Sequence, residues 1–271
     1  MTDAAICVTC GTQYAPGPAP DACAICSDER QYVAATGQAW TTLARLRRSH
    51  MACVRMEGAL LGIGIAPAFG IGQRALLVRT PAGNILWDCI SLVDDALVTL
   101  IGALGGLAGI AISHPHYHTS CVEWSRAFGG VPVHLHAADR DWIMRPDPAI
   151  VPWEGETQAL LPGLTLVRAG GHYPGGTVLH WADGHGGAGA LLSGDIVQVV
   201  ADRRHVGFMR SYPNFIPLGA AAVEGIARRL SHLDFDAIYG AFWNLVIPTD
   251  GRAAFDRSVA RHLDWLARPD G

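Results

Sequence analysis

The N-terminal thirty residues carry two cysteine pairs, Cys7-x2-Cys10 and Cys23-x2-Cys26, with twelve residues between them. So short and polar a stretch buries too little apolar surface to fold without a staple. A C-x2-C turn brings two thiolates to one side of a tight loop. Two such turns facing each other supply the four sulfurs of a tetrahedral zinc site. Gly11, directly after Cys10, suits the backbone angles such a turn needs. The spacing predicts a zinc knuckle over 1–30 whose metal supplies the folding energy. A rubredoxin-like iron centre uses similar geometry. Four thiolates leave no open coordination position, so the knuckle reads as a structural clip. Cys53, Cys89 and Cys121 are isolated and read as small buried hydrophobes, not as a disulfide framework.

The chain has 271 residues, half of them hydrophobic, which suits one large domain with this appendage. Residues 36–50 (TGQAWTTLARLRRSH) predict a helix, with Trp40, Leu43 and Leu46 at three-residue steps and Thr36 as a cap. That makes 31–56 a linker between the knuckle and a main domain over 57–271. There, RALLVRT and NILWDCI, split by Pro81-Ala82-Gly83, predict a hairpin, and SLVDDALVTLIGAL a helix capped by Ser91. GIAIS, VPVHLH, LTLVRA, TVLHWA and GALLSGD read as strands, and LGAAAVEGIARRL and AAFDRSVARHLDWLA as outer helices. Strands and helices that alternate in this way give a layered α/β arrangement. A formal charge of −4 gives no general electrostatic reason to expect nucleic acid. No stretch reaches the roughly 18 apolar residues of a membrane span, and the first residues lack the regions of a signal peptide. A cytoplasmic protein acting on a small-molecule substrate, with no nucleic acid and no membrane, is the expectation; the sequence does not set its oligomeric state.

The chemistry concentrates in GIAISHPHYHTS. In extended backbone, alternate residues share a face, so His114, His116 and His118 can converge after a buried strand. GGHYPGG then sets His172 in a glycine-flanked turn, and LLSGDI ends a strand on Asp195. Their order after the histidine loop points to one joint metal site. Tyr117, Tyr173 and Tyr212 are candidate substrate contacts, the last within the loop MRSYPNFIPL. His134 and His136 alternate along VPVHLH, with Asp139 close behind, and read as structural or supporting groups.

With these motifs in this order, residues 57–265 resemble the metallo-β-lactamase superfamily. The match runs from a strand ending in Asp88, through the His-x-His loop and the Gly-His-x-x-Gly-like turn, to Ser193-Gly194-Asp195. The resemblance implies an α/β fold, a four-layer αββα sandwich with its metals at one edge. It implies His114, His116 and His172 as ligands of a first metal, and Asp195 as the carboxylate reaching towards a second. The family pattern His-x-His-x-Asp-His is here His114-Pro-His116-Tyr-His118-Thr119, and Ala241, Phe242 and Trp243 stand where a final histidine is expected. One reading is a single metal on the three histidines, with Asp195 as fourth ligand or supporting acid. The other has His118 supporting a weak second metal. Hydrolysis of an ester, lactone, thioester or phosphoester is the implied activity, with Asp195 or His118 as the catalytic groups that handle protons. Zinc is the expected metal at the histidine site. Iron is the alternative, because the superfamily's persulfide dioxygenases use two histidines and an aspartate, which His114, His172 and Asp195 would mimic. A non-catalytic binding role is the third reading.

Overall fold

The structure, a computed structural model, describes residues 3–268. Alternation along the strands sorts the side chains into layers. In Ala75–Thr80, Leu76 and Val78 face one way while Ala75 and Leu77 face the other. In Gly83–Trp87, Ile85 and Trp87 oppose Leu86. Leu76, Val78, Ile85 and Trp87 meet Leu164, Leu166, Leu179, Leu192 and Tyr239 of a second sheet, forming the core between the sheets. Leu77 and Leu86 pack with Leu97 and Ile101 of helix Asp95–Ala103 and with Val122 and Trp124 of helix Cys121–Ala127. On the far side, Val178, Leu191 and Ile238 meet Val223 and Ile226 of helix Ala220–Leu230 and Phe255 of helix Gly251–Ala267. The result is the expected αββα sandwich.

The larger sheet has seven strands, running in space Ile150–Trp153, Val133–His136, Gly109–Ala111, Gly83–Trp87, Ala75–Thr80, Leu60–Ala66 and Met51–Glu57. The smaller has six: Thr157–Leu161, Leu164–Arg168, Thr177–Trp181, Ala190–Gly194, Ala237–Gly240 and Val246–Ile247. The predicted hairpin forms with Thr80 opposite Gly83. Gly83–Trp87 runs parallel to Gly109–Ala111, so Asp88 and the histidine loop leave the sheet at the same end.

Two local expectations are corrected. The helix over 36–50 is confined to Leu43–Ser49, capped by Thr42, which accepts from Arg45 N. Trp40–Thr42, two of its three residues β-branched, is instead a strand beside Ala4–Cys7 in a three-stranded antiparallel sheet completed by Gln13–Pro16. The cap of helix Asp95–Ala103 is Asp94, whose carboxylate accepts from Leu97 N at 2.8 Å, rather than Ser91. Ser91 donates to the Gly11 carbonyl at 2.8 Å and so ties the small sheet to the large domain. Among the described residues, no helix is long and apolar enough to cross a membrane.

Candidate metal centres and the pocket between them

The four knuckle cysteines are buried and come together. Cys7 and Cys26 sulfurs lie 3.6 Å apart, as do those of Cys10 and Cys23. That is too long for a disulfide and close to the ~3.8 Å edge of a tetrahedron with metal–sulfur bonds of about 2.3 Å. The Gln38 amide donates to Cys7 Sγ at 3.3 Å, and the Tyr14 hydroxyl to Cys23 Sγ at 3.4 Å. Both favour thiolate over thiol. Hydrogen bonding among the four sulfurs lowers the thiols of Cys7 and Cys23, the latter to about 7, and raises those of Cys10 and Cys26. The set suits a metal cation.

The second centre is built from loops at one edge of the sandwich. The ligand-type atoms of His114, His116, His172 and Asp195, all buried, lie within 4.8 Å of one another. His116 Nδ1 is 3.4 Å from His172 Nε2, and His114 Nε2 is 3.8 Å from Asp195 Oδ2. Each ring is held by its other nitrogen. His114 Nδ1 meets Ser113 Oγ at 2.9 Å, His116 Nε2 meets the Tyr173 hydroxyl at 3.1 Å, and His172 Nδ1 meets the Met209 carbonyl at 3.1 Å. With the outward nitrogen of His172 donating to a carbonyl, its inward nitrogen is left as a lone pair. The two remaining contacts allow the same tautomer at His114 and His116. His114 Nε2 and Asp195 Oδ1 are buried without any hydrogen-bond partner. Two buried, unpartnered atoms that can each offer a lone pair, in a four-residue donor set, fit a divalent metal ion.

Burial sets the protonation. It drives His114 and His116 well below the ordinary imidazole value and His172 down to about 4, so these rings are neutral, the form that ligates. Burial raises the Asp195 carboxyl to about 7. Asp88, with its backbone at φ 62°, turns its carboxylate to accept from Ser113 N at 2.8 Å, and Ser113 in turn holds His114. Gly194 lets the two strand ends approach: a Cβ there would fall 2.8 Å from Ser113 Oγ.

The other expected site residues lie elsewhere. His118 does not join the cluster. Pro115–Tyr117 forms a 3-10 turn, not extended backbone, and its tighter rotation separates residue 118 from residues 114 and 116. His118 Nδ1 donates to the Trp142 carbonyl at 3.1 Å, while Nε2, without a partner, belongs to a ring lining a separate cavity of about 10 Å³ with Gln13, Thr119 and Arg145. Tyr117 is fully buried and donates to the Ala241 carbonyl at 3.1 Å, within the core. Tyr173 lies under the centre, on His116. Tyr212 lines the pocket and donates to the Asp195 carbonyl at 2.9 Å. Asp139 supports the His172 turn by accepting from Gly175 N, and His136 donates to the Gly155 carbonyl, both as supporting groups.

A cavity of about 430 Å³ opens over His116, His172 and Asp195, walled by Ile71, Tyr212, Pro213 and Phe242. Part of its wall comes from the chain just after the knuckle, through Arg30, Gln31 and Tyr32. Arg30 Nε donates to the His172 carbonyl at 2.9 Å, and its guanidinium lies 4.4 Å over the Tyr173 ring. Gln73 Nε2 bridges the Cys10 carbonyl (2.6 Å) and the His116 carbonyl (3.1 Å), joining the two centres through one amide. Nothing periodic in the sequence marks Arg30, Gln31 or Gln73. The His172 carbonyl lies 142 residues from Arg30 and the His116 carbonyl 43 from Gln73, and only the folded chain brings them together.

The fold is that of metallo-β-lactamase-fold proteins. The chain is similar to the crystal structure of DIM-1 metallo-β-lactamase, with a TM-score of 0.57 and 12% identity over 77% of this chain and 95% of that one. It is also similar to FIM-1 of Pseudomonas aeruginosa in its mono-zinc form, with a TM-score of 0.55 and 13% identity over 80% and 97%. No protein-family model matches the chain. It is 44% identical over 265 residues, 96% of each chain, to the uncharacterized protein YmaE of Bacillus subtilis, and it belongs to that protein's family.

Proposed function

We propose that this protein is a metal-dependent hydrolase whose substrate is a small ester, lactone, thioester or phosphoester. The observation that carries the reading is the pair of buried, unpartnered atoms, His114 Nε2 and Asp195 Oδ1, in a four-residue donor set beneath an accessible cavity. His114, His116 and His172 are the ligands, and Asp195 stands beside them. A divalent metal held there lowers the pKa of a water towards neutrality and polarises a carbonyl or phosphoryl oxygen. Asp195, beside the ligands and with Oδ1 free of any hydrogen bond in the protein, would take the proton of the attacking water and pass it to the leaving group. Tyr212, on the Asp195 carbonyl, keeps that residue in register, while Ile71, Pro213 and Phe242 limit bulk water around the reacting bond.

The test combines metal analysis with turnover. Purified protein should carry two zinc ions per chain and hydrolyse members of an ester, lactone, thioester and phosphoester panel. His116→Ala should retain the knuckle zinc, lose the second and lose turnover. Iron at the histidine site would favour the oxidative alternative. A full metal complement with no turnover on any panel member would leave the binding role.

A further inference from the structure

The side chains that line the pocket beside the donor set divide into polar groups already engaged and apolar groups left open. Arg30 is the one charged side chain there outside the donor set. Its Nε is bonded to the His172 carbonyl at 2.9 Å and its Nη1 to Asp28 at 2.7 Å. Gln31 is buried, and the Tyr212 hydroxyl is held by the Asp195 carbonyl at 2.9 Å. The open groups are Ala68, Ile71, Pro213 and Phe242, which are half-buried or exposed and carry no side-chain donor or acceptor. Ile71 stands between Gly70 and Gly72, at φ 61° and 78°, so no adjacent side chain shields it.

The apolar surface continues outside the mouth. Asn214 Nδ2 joins the two rims by donating to the Glu29 and Gln31 carbonyls at 2.8 and 3.0 Å. Next along one rim is Tyr32, 46% exposed, and next along the other is Phe215, 83% exposed. Phe215 is the most exposed large apolar side chain among the described residues. Apolar area left in water at the entrance of a cavity over a metal-type donor set is area that an apolar ligand group removes from water on binding. An ionised group on the same wall would lose its hydration without gaining a partner.

We infer that the substrate carries an apolar chain on the acyl side of its scissile bond, with Ile71 and Phe242 as the residues that select it. This rests on the metal-centre reading above and narrows it to an ester, lactone or thioester of an apolar carboxylic acid. Hydrolysis then adds water across the acyl–oxygen or acyl–sulfur bond and yields that acid and an alcohol or thiol.

Hydroxamates, which bind a metal through their two oxygens, test the wall without turnover. Zinc-replete protein is titrated calorimetrically with acetohydroxamate, butanohydroxamate and hexanohydroxamate. A fourth ligand, the monohydroxamate of hexanedioic acid, ends the six-carbon chain in a carboxylate. In the wild type, hexanohydroxamate should bind about tenfold tighter than acetohydroxamate, or about twofold for each partly buried methylene. The carboxylate-ended chain should lose most of that gain. In Ile71→Asn and in Phe242→Ser the hexano-to-aceto ratio should fall to about threefold. A wild-type ratio near one would overturn the inference, as would an unchanged ratio in either variant that keeps both zinc ions. Tightest binding of the carboxylate-ended chain would also overturn it and assign the wall to Arg30 and an anion. No binding of any hydroxamate would instead refute the metal-centre reading, and this inference with it.

Discussion

Arg30→Ala removes the contacts by which the knuckle tail supports the histidine centre. The Nε bond to the His172 carbonyl, 2.9 Å and buried, is charge-assisted and contributes about 1.5–3 kcal/mol. The guanidinium over Tyr173 at 4.4 Å, in a side chain 10% exposed, adds about 1 kcal/mol. The ion pair with Asp28 adds little, because that carboxylate also accepts from the Arg30 backbone N–H and keeps access to water. The loss comes to about 3 kcal/mol, or about 6–12 °C in melting temperature for a chain of this size. Because the His172 carbonyl would be left without its buried donor, the ring should lose position. Affinity for zinc at the histidine site should fall about tenfold, while the knuckle zinc is retained. Calorimetric melting and zinc competition against a graded chelator read the two quantities separately. A variant that melts within about 2 °C of the wild type and holds the second zinc equally well would refute the idea that the tail supports the site.

Three further outcomes follow from the same contacts. Cys23→Ser should release the knuckle metal and also weaken the second, because Gln73 links the Cys10 and His116 carbonyls. Chelator titration that finds the second site unchanged would make the knuckle an independent clip. Tyr117→Phe loses only the buried bond to the Ala241 carbonyl and should cost about 1 kcal/mol with KM unchanged; a raised KM without lost stability would put this ring against substrate. Burial holds His118 and His172 down to about 4, so the folded chain resists protons that the unfolded chain takes up below its ordinary value of 6.5. Their contribution is complete above 6.5 and is lost as pH falls towards 4. Urea midpoints of metal-free protein at pH 7.5, 6 and 5 should therefore decline, and His118→Asn should make the decline shallower; parallel curves would contradict the burial of that ring.

How much was legible depended on whether a residue's role is local. The cysteine pairs and the strand alternation are local patterns, and the knuckle, the hairpin at 75–87 and a layered α/β arrangement followed from them, while the four-layer sandwich came from the resemblance in motif order. His114, His116, His172 and Asp195 were legible as motifs at strand ends and in a glycine turn. His118 was misread because equal spacing was taken as extended backbone, whereas Pro115 begins a 3-10 turn. Trp40–Thr42 carried a helical spacing of apolar residues, yet tertiary pairing with Ala4–Cys7 made it a strand. Ser91 looked like a cap because a serine precedes the helix, but Asp94 stands closer and leaves Ser91 for Gly11. Arg30, Gln31 and Gln73 carry no local signal at all.

The atypical positions 118 and 119 acquire a reason once the knuckle is docked. Thr119, at φ 33°, presents its carbonyl to Gln13 N at 3.0 Å, and His118 and Thr119 share a cavity with Gln13. Arg145 ties Gln13 to Glu123 across that interface. The segment that the resemblance would have supplying ligands to a second metal thus supports the knuckle instead. In turn, the knuckle's tail returns Arg30 to the His172 carbonyl and Gln31 to the pocket wall. The Thr119 carbonyl is thus engaged by Gln13, and the His118 ring, held by the Trp142 carbonyl, lines the same interface. An asparagine or aspartate placed at position 118 should therefore disturb the knuckle interface before it creates a new metal site. Zinc stoichiometry that rises to three per chain in His118→Asp, with the knuckle still protected from proteolysis, would break that linkage.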